Sequence, residues 1–313
     1  MQFIKHKTNI DFLSRKRRVI AVSLSLLVVV ISIVSLSTRG LNFGIDFTGG
    51  VLLEVGYPQA ADIGQIRQIL GDAGFANMQI NTFGPLTDVQ IRLPPQPSED
   101  ADAIRDSIRS ILAADNPQVG IHRVAIVSSQ VGEELTEQGG LAMIFALLMI
   151  FAYVMFRFQW KFAAGAVAAL AHDVIVTVGF FSVFGITFDL TVVAAVLAVI
   201  GYSLNDTVVA FDRIRENFIG LRGASAEEAM NISINEMLAR TIITGVTTLV
   251  VLVALLLLGG ETVRPFSIAL IVGIVVGTYS SIWTASATAL MLDVSAKDLI
   301  PAEVDPDLID DLP

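Results

Sequence analysis

Two polar pairs interrupt long apolar stretches of this sequence. His172 and Asp173 are adjacent in one stretch, and Asn205 and Asp206 are adjacent in the next. An aspartate at the centre of a membrane-spanning helix costs about 2.5–3.5 kcal/mol to insert, so such residues face a protein interior or water and suggest a functional site. Because burial favours the protonated form of a carboxyl group, the chemistry that these residues offer is reversible proton binding.

Arg240 stands where a further apolar stretch begins. An arginine beside a carboxylate favours its charged form, so an Asp206 that pairs with Arg240 in one state and is protonated in another would act as a proton switch. One charge that crosses about 100 mV changes the free energy by about 2.3 kcal/mol, which is enough to bias a two-state equilibrium. The alternative is structural: Asp206 joins helices with Asn205 and Arg240 as fixed partners, and His172 holds Asp173 through a hydrogen bond.

Helical rise predicts that the two aspartates lie at different depths. Asp206 is six residues from Asp212, or about 9 Å, and Asp173 is twelve residues from Lys161, or about 18 Å from the same membrane face. Staggered carboxyl groups can pass on a proton through water, whereas an intramembrane aspartyl protease needs two facing aspartates at one depth. The sequence has no cysteine, which excludes thiolate metal sites and disulfides. We expect no metal and no cofactor, with protons as the coupling ion.

The elements that carry these residues are membrane spans. Hydrophobic residues make up 54% of the 313 residues and charged residues only 16%, against about 25% charged in soluble domains. The net charge of −10 argues against a nucleic acid partner, whose phosphates need a basic surface. Apolar runs of about 20 residues predict six spanning helices. These runs cover residues 19–38, 139–156, 162–185, 190–211, 241–259 and 265–292.

Basic residues in the connections predict the orientation. The amino-terminal tail 1–18, the connection 157–161 and the loop 212–240 are rich in Lys and Arg, whereas the opposite short loops contain only Arg264. The positive-inside rule therefore predicts that both termini are cytoplasmic and that residues 39–137 lie outside.

Three further segments complete the predicted organisation. The first apolar run, 19–38, exceeds the core of about 7–15 residues in a signal peptide, which favours an uncleaved anchor. In the cytoplasmic loop 212–240, Ser225 begins a capping-box pattern that predicts an amphipathic helix on the inner membrane surface. The acidic tail 293–313 is predicted to be solvated.

The exported segment 39–137 is predicted to be a small α+β domain. Alternating apolar residues indicate strands, and apolar residues three to four positions apart indicate helices, the second with Ser98 as N-cap. The order β-α-β-β-α-β predicts a ferredoxin-like fold. The predicted strands are 51–57, 78–83, 88–93 and 121–128, and the predicted helices are 61–73 and 98–113.

The segment 44–50, Gly-Ile-Asp-Phe-Thr-Gly-Gly, links the first span to the first strand. Gly44, Gly49 and Gly50 permit a tight turn at positive φ, and Asp46 can accept hydrogen bonds from the turn amides. We interpret this segment as an elbow between domain and membrane, with direct substrate contact as the alternative.

Small residues recur every four positions in the last predicted span. Gly273, Gly277 and Ser281 form a ridge that lets neighbouring helices approach closely in lipid. The ridge predicts tight packing around the buried carboxylates.

Three segments carry a resemblance to a known family. Residues 44–50, 198–209 and 211–217 resemble the signature segments of the SecD/SecF family, part of the RND superfamily, and the similarity extends over almost the whole chain. In that family the membrane carboxylate of the fourth span falls on Asp206, and the arginine of the fifth falls on Arg240.

The resemblance implies half of a pseudo-symmetric, twelve-span pair with SecD in the bacterial inner membrane. It implies the SecYEG channel, YajC and the translocating polypeptide as further partners. The implied function is to draw polypeptide outward with the proton motive force, late in export after the ATPase SecA has acted, without covalent catalysis. Two other functions remain open: half of an RND small-molecule exporter, for which residues 39–137 are short, and a scaffold that does not couple protons.

Overall fold

A computed structural model describes residues 9–75, 78–95, 101–221, 223–260 and 263–295. The first eight residues, the predicted cap Ser98 and most of the acidic tail lie outside these ranges. In chain order the elements are α1 (Arg15–Thr38), β1 (Asn42–Phe43), α2 (Ile45–Thr48), β2 (Gly50–Gly56), α3 (Ile63–Asp72), β3 (Gln79–Thr82), β4 (Asp88–Leu93), α4 (Ala101–Asp115), β5 (Gly120–Val127), α5 (Ser129–Arg157), α6 (Trp160–Phe184), β6 (Thr187–Phe188), α7 (Leu190–Gly220), α8 (Ala226–Leu258), α9 (Arg264–Ile282) and α10 (Thr284–Met291).

Six helical segments of the described chain are long and apolar enough to cross a membrane. They are α1, α5, α6, α7, α8 and the α9–α10 pair, one for each predicted span. Together with the apolar composition, they identify a membrane protein. We call the end of the bundle that carries the small α+β domain the domain end, and the opposite end the tail end.

The spanning helices extend beyond their predicted boundaries. Helix α5 begins at Ser129 rather than at 139, so the domain ends earlier than 137, and α7 continues past 211 to Gly220. At the amino terminus, α1 begins at Arg15 and so takes in the basic residues assigned to the tail. The predictions followed the apolar run, whereas a helix continues wherever its polar turns find partners or solvent.

The predicted amphipathic surface helix is not a separate element. Helix α8 runs without interruption through the proposed boundary at 241, and Met230 and Ile234 are buried inside the bundle. The polar stripe of α8 contacts protein instead of lipid headgroups: Asn235 bonds Ile10, and the Ser233 hydroxyl accepts a hydrogen bond from the Asn217 side chain. Amphipathicity alone could not distinguish these two environments.

The last predicted span is broken at Trp283, between α9 and α10. The hydroxyl of Ser281 donates to the carbonyl of Gly277 at 2.7 Å, and the hydroxyl oxygen of Ser280 lies 3.1 Å from the same carbonyl oxygen. Such side-chain bonds compete with the helical ladder and are a recognised cause of helix bends. The ridge of Gly273, Gly277 and Ser281 lies in α9, directly before this break.

A polar layer separates two apolar cores of the bundle. The tail-end core packs Phe158, Phe162 and Phe211, and the domain-end core packs Phe181 and Phe188. Between them lies a set of buried polar side chains from α6, α7, α9 and α10. This set comprises His172, Asp173, Thr177, Ser203, Asp206, Thr207, Ser280, Ser281 and Ser286.

The α+β domain follows the predicted order β-α-β-β-α-β. Its sheet has the strand order β3-β4-β2-β5, with each neighbouring pair antiparallel. One face packs against α3 and α4 through an apolar core that includes Leu53, Ile91 and Ile108. Polar side chains, among them Gln90 and Arg92, alternate with those core positions on the other face.

The domain contains a phenol whose ionisation should weaken the fold. Burial raises the pKa of Tyr57 to about 12, and the negative charge of Asp115 contributes to the increase. The unfolded chain releases this proton near pH 10, so the unfolded state gains stability between pH 10 and 12 by about 1–2 kcal/mol, because solvent screens part of the effect on this half-buried group. In urea unfolding, Tyr57→Phe should lose less stability over that range than the parent protein. Equal losses would contradict this assignment.

Candidate proton-binding site

Asp206 is a buried carboxylate with an unpaired oxygen. It lies on α7 and is 8% exposed, and its Oδ2 atom has no hydrogen-bond partner among the described residues. It lines a cavity of about 20 Å³ beside Thr241 and Ser281, enough for one water molecule. A buried acceptor without a partner is costly, so this oxygen is suited to gaining a proton. The neighbouring Asn205 is exposed on the outer face of α7.

Arg240 approaches Asp206 from α8 without forming an ion pair with it. The two helices run antiparallel, because Arg213 and Asn217 of α7 contact α8 in reverse order, at Glu236 and Ser233. Arg240 is one turn beyond Glu236, interacts electrostatically with Asp206 and is exposed. Helix α8 is continuous through Arg240, so no helix begins at that residue. The Arg240 side chain therefore lies within electrostatic range of Asp206 while remaining free of a short contact with that carboxylate.

Asp173 has a different environment, because both oxygens of its carboxylate have polar partners. It is 0% exposed, and its Oδ2 accepts hydrogen bonds from the hydroxyls of Ser203 at 2.5 Å and Ser280 at 2.8 Å. The His172 Nδ1 lies 3.0 Å from Oδ1. The His172 ring stacks on Tyr279, with centroids 6.3 Å apart. Asp173 thus joins α6 to α7 and α9. This geometry is compatible with a structural role and with proton transfer.

Asp173 and Asp206 have neighbouring partners on α9 and lie at similar positions along the bundle. Ser280 bonds Asp173, and the next residue, Ser281, lines the Asp206 cavity and accepts a hydrogen bond from Thr207 at 3.2 Å. Along α7, Asp206 is three residues from Ser203, which is about 4.5 Å of rise. The offset is therefore smaller than the predicted depths of about 9 and 18 Å imply. Residue counts from the loops mislead because the helices extend past the apolar runs.

The glycine ridge brings α9 into direct contact with these groups. A Cβ atom at Gly273 would lie 2.2 Å from a Val199 methyl, and one at Gly277 would lie 3.4 Å from Asp173 Oδ2. Gly273 requires a residue without a side chain for α7 and α9 to pack as they do, and Gly277 leaves little room, since a Cβ there would also lie 3.1 Å from the Ser203 Cβ. This close approach is what allows Ser280 to reach Asp173.

The segment 44–50 forms a short helix and a glycine turn rather than a simple elbow. Gly49 and Gly50 have φ of 68° and 128°, and a Cβ at Gly50 would lie 2.3 Å from the Leu93 carbonyl oxygen. The Thr48 hydroxyl bonds within the turn, donating to the carbonyls of Gly44 and Gly49. Asp46 does not accept from the turn amides as predicted. The turn amides donate to the backbone carbonyls of Gly44 and Ile45 instead, which leaves Asp46 available for another element.

Asp46 instead caps the helix that carries Asp206. Its Oδ2 accepts a hydrogen bond from the backbone amide of Leu190 at 3.2 Å, and Asp189 accepts from Val192 at 3.0 Å. The two carboxylates satisfy amides that the first turn of a helix leaves unpaired. The adjoining strand β1 pairs in parallel with β6, directly before α7. The segment 44–50 is therefore attached to α7 at the domain end.

Arg92 connects the sheet to the same place. Its guanidinium donates to the Thr187 hydroxyl at 3.1 Å and to Gln90 at 3.1 Å. Burial lowers the pKa of Arg92, while the negative charges of Asp189 and Asp46 act in the opposite direction. Strand β4, segment 44–50 and the start of α7 thus meet in one charged cluster.

The sequence singled out the charged members of these sites but not their uncharged partners. Ser203 and Ser280 carry no signal that separates them from other hydroxyls in spanning helices. Tyr202 lies one turn before Asp206, and its buried hydroxyl has no partner among the described residues. The sequence analysis did not identify it as a site residue either. Helical spacing from Asp206 could have suggested Tyr202. The partners of Asp173 required the packing of three helices.

Two family models match this chain. The model of the C-terminal part of the protein export membrane proteins SecD and SecF matches residues 107–295. The model of the SecD/SecF GG motif matches residues 34–61, which contain the glycine turn and Asp46. The two matches cover the helices that carry both aspartates and the segment that caps α7.

Curated relatives and solved structures agree with these matches. The protein translocase subunit SecF of Pseudomonas aeruginosa is 49% identical over 298 residues, which cover 95% of this chain and 96% of that protein. SecF of Vibrio alginolyticus is 44% identical and covers 97% of this chain and 96% of that protein. The crystal structure of SecDF from Thermus thermophilus, a translocon-associated membrane protein, has a TM-score of 0.83 at 34% identity. It covers 94% of this chain, which spans only 40% of the SecDF chain. This chain belongs to the SecD/SecF family of protein export membrane proteins, where its full-length relatives are SecF subunits.

Proposed function

We propose that this protein acts with SecD in bacterial protein export and uses the proton motive force to promote late, outward movement of polypeptide across the inner membrane. The observation that carries the proposal is the buried Asp206, whose Oδ2 lacks a partner while Arg240 lies within electrostatic range. A buried acid beside a mobile cation can exchange one neutralising partner for another. Family membership supports export as the process, and we propose no covalent chemistry and no cofactor.

The proposed cycle alternates two partners of Asp206. When Asp206 is ionised, Arg240 moves toward it and α8 closes on α7. When a proton binds, the attraction is lost and Arg240 returns to its exposed position. Asp173 and His172 form a second site on the proposed proton path, connected to the first through Ser280 and Ser281.

Movement of α7 reaches the domain through its capped start. Asp46 and β1 contact the first residues of α7, and Arg92 joins the sheet to the loop before it. This route is more direct than one through α1, the helix that precedes segment 44–50 in the chain. We propose that the domain, ferredoxin-like in strand order, lies in the periplasm and moves with α7.

The proposed orientation and partners follow from charge and similarity. The basic tail end would face the cytoplasm under the positive-inside rule, with both termini there. Helices α1, α5 and α8 expose apolar side chains, which SecD and lipid would cover. The description of a SecDF relative as translocon-associated supports SecYEG as a partner, and YajC is a further proposed partner.

Inverted membrane vesicles that contain this protein, SecD and SecYEG test the function. Export of a preprotein is first started with SecA and ATP, ATP is then removed, and a proton gradient is imposed. We expect the gradient to complete export, and a protonophore to prevent it. If the gradient has no effect when all subunits are present, the proposed coupling is wrong.

The Arg240 side chain can be tested in the same vesicles. Arg240→Gln removes the charge that competes with the proton for Asp206. A hydrogen bond or ion pair with a charged group contributes about 1.4 kcal/mol or more, which corresponds to a factor of ten. Gradient-driven export should therefore fall by about tenfold or more. Arg240→Lys should retain part of the activity because it keeps the charge. Equal activity of the two variants would show that the charge of Arg240 has no role.

A further inference from the structure

An apolar groove lies on the surface of the bundle at its tail end, between α1 and the break in the last span. Its volume is about 290 Å³, near the lower limit of the range of about 300–1,000 Å³ that is typical of ligand pockets. Ile20 and Leu24 of α1 line one wall, and Tyr279 and Trp283 line the other. The groove shares no lining residue with the cavity of the candidate proton-binding site.

The chain before α1 contributes a further side of the groove through Ile10 and Phe12. Both residues are attached to α8 by their backbone amides. The amide of Ile10 donates to Asn235 Oδ1 at 2.8 Å, and that of Phe12 donates to Asn231 Oδ1 at 2.7 Å. The Phe12 ring packs edge-on against Trp283, with centroids 5.8 Å apart. Hydrogen bonds and aromatic packing therefore hold this part of the groove in shape.

The α1 wall presents hydrocarbon to the surroundings of the bundle. Ile20 is 59% exposed and Leu24 is 50% exposed. The Tyr279 hydroxyl donates to the Ala21 carbonyl at 2.7 Å, so its polar atom is satisfied and its ring adds apolar surface. From Arg17 to Leu24 the wall extends over about 10 Å of α1. A groove of these dimensions suits one hydrocarbon chain that lies along the helix.

The end of the groove nearest the start of α1 is positively charged. Residues 15–18 are Arg-Lys-Arg-Arg, and the first turn of α1 contains no acidic residue. Glu227 offsets part of this charge, because it pairs with Arg18 at 3.5 Å. Arg17, which lines the groove, donates one N–H group to the backbone carbonyl of Asp11. A guanidinium has five such donors, so Arg17 can also bind a phosphate, whose oxygens accept paired N–H groups.

We propose that the groove binds an anionic phospholipid, with one acyl chain beside Ile20 and Leu24 and the headgroup phosphate on Arg17. Hydrocarbon lines the part nearer the membrane centre, and basic residues surround the part at the membrane surface. Tryptophan and tyrosine are enriched at that surface, where Trp283 and Tyr279 would lie, and clustered basic residues attract anionic headgroups. The inference does not depend on the proposed function, since neither proton binding nor export enters it.

A helix of SecD is the competing occupant of the groove. It would bury the apolar walls equally well, but it would leave the positive charge of residues 15–18 without a partner unless it carried acidic residues there. A zwitterionic lipid would likewise fill the apolar part while adding no net negative charge. The charge at the end of the groove therefore favours an anionic lipid.

The two tryptophans of the chain allow a direct test. Trp160→Phe leaves Trp283 in the groove as the only fluorescent tryptophan, and Trp283→Phe leaves Trp160, which is exposed on α6 at the same end of the bundle. Each variant is assembled with a SecD subunit in which any tryptophan is replaced by phenylalanine. The complex is placed in phosphatidylcholine vesicles with increasing fractions of brominated phosphatidylglycerol or of brominated phosphatidylcholine. Brominated chains quench the fluorescence of a tryptophan that they contact.

We expect Trp283 to be half quenched at a fraction of brominated phosphatidylglycerol several-fold below that of brominated phosphatidylcholine. Trp160 should show no comparable difference between the two lipids. Arg17→Gln should remove most of the preference at Trp283. Arg15→Gln makes the same change on an exposed arginine of the same helix, outside the groove lining, and should retain the preference.

Three results would overturn the proposal. Equal quenching of Trp283 by the two lipids would show that the groove does not select an anionic headgroup. No quenching of Trp283 by either lipid would show that SecD covers the groove. An equal preference at Trp160, or equal effects of the Arg17 and Arg15 variants, would show general attraction to a basic surface. The comparison of the two lipids at Trp283 requires no substitution in the groove, so it remains decisive if Arg17→Gln does not fold.

Discussion

Replacing Asp206 with Asn is expected to abolish the part of export that depends on the proton gradient and to leave the ATP-driven part intact. Asn preserves the shape of the side chain but cannot bind or release a proton. The cavity beside it accommodates only about one water molecule, so no neighbouring group readily replaces the carboxylate. A gradient of about 100 mV supplies about 2.3 kcal/mol per charge, so the loss can reach about fiftyfold.

Asp212→Asn is the matched control for this variant. Asp212 lies on the same helix, is partly exposed and pairs with Arg157 at the tail end. Its replacement makes the same chemical change away from the buried site, and we expect gradient-driven export to remain near the parent level. A similar loss in both variants would indicate damage to α7 rather than loss of titration. Unchanged export by Asp206→Asn would refute the proton mechanism.

Gly273→Ala is expected to destabilise the bundle by about 1–3 kcal/mol, the usual cost of overpacking a core. The added Cβ would lie 2.2 and 2.6 Å from the two methyls of Val199 and 2.9 Å from its Cβ. Val199 is 1% exposed and branched at Cβ, so it cannot rotate away. Helix α9 must move outward, which also draws Ser280 away from Asp173. Thermal unfolding of the purified protein in detergent measures the effect.

Two further variants identify the cause of this destabilisation. Gly201→Ala makes the same change on α7, where a Cβ meets nothing within 4 Å, and it should be neutral or slightly stabilising. Val199→Ala combined with Gly273→Ala removes the opposing methyls and should recover part of the lost stability. If the double variant is less stable than the sum of the single changes predicts, steric overlap is not the cause.

The six spans and the strand order could be predicted because each depends on a local pattern. Apolar runs indicate the helices, and the alternation around Val89 and Ile91 indicates a strand with one buried face. The helix ends could not be predicted, because α7 and α8 continue where Arg213 and Asn217 find partners on the neighbouring helix. Those partners are distant in sequence, and no local window contains both.

Only part of the site could be predicted from the sequence, for a related reason. Charged residues in apolar runs stand out, which identified Asp173, Asp206 and Arg240. The sequence did not reveal that both carboxylate oxygens of Asp173 have polar partners, whereas Oδ2 of Asp206 has none among the described residues. It also could not show that Asp46 reaches α7 at Leu190, since 144 positions separate them. These properties arise from tertiary packing.

The cap that Asp46 places on α7 has a mechanical consequence. A helix cap contributes about 1 kcal/mol and holds only within hydrogen-bond distance. Small tilts of α7 would keep the hydrogen bond between Asp46 and the Leu190 amide and would move the domain with the helix. A larger displacement would break this hydrogen bond. Asp206 lies sixteen residues after Leu190 on α7, which is about 24 Å along the helix axis. A gradual displacement of α7 near Asp206 would thus move the domain in a stepwise manner, and the threshold would be set by the Asp46 cap together with the β1–β6 pairing and the Arg92–Thr187 hydrogen bond.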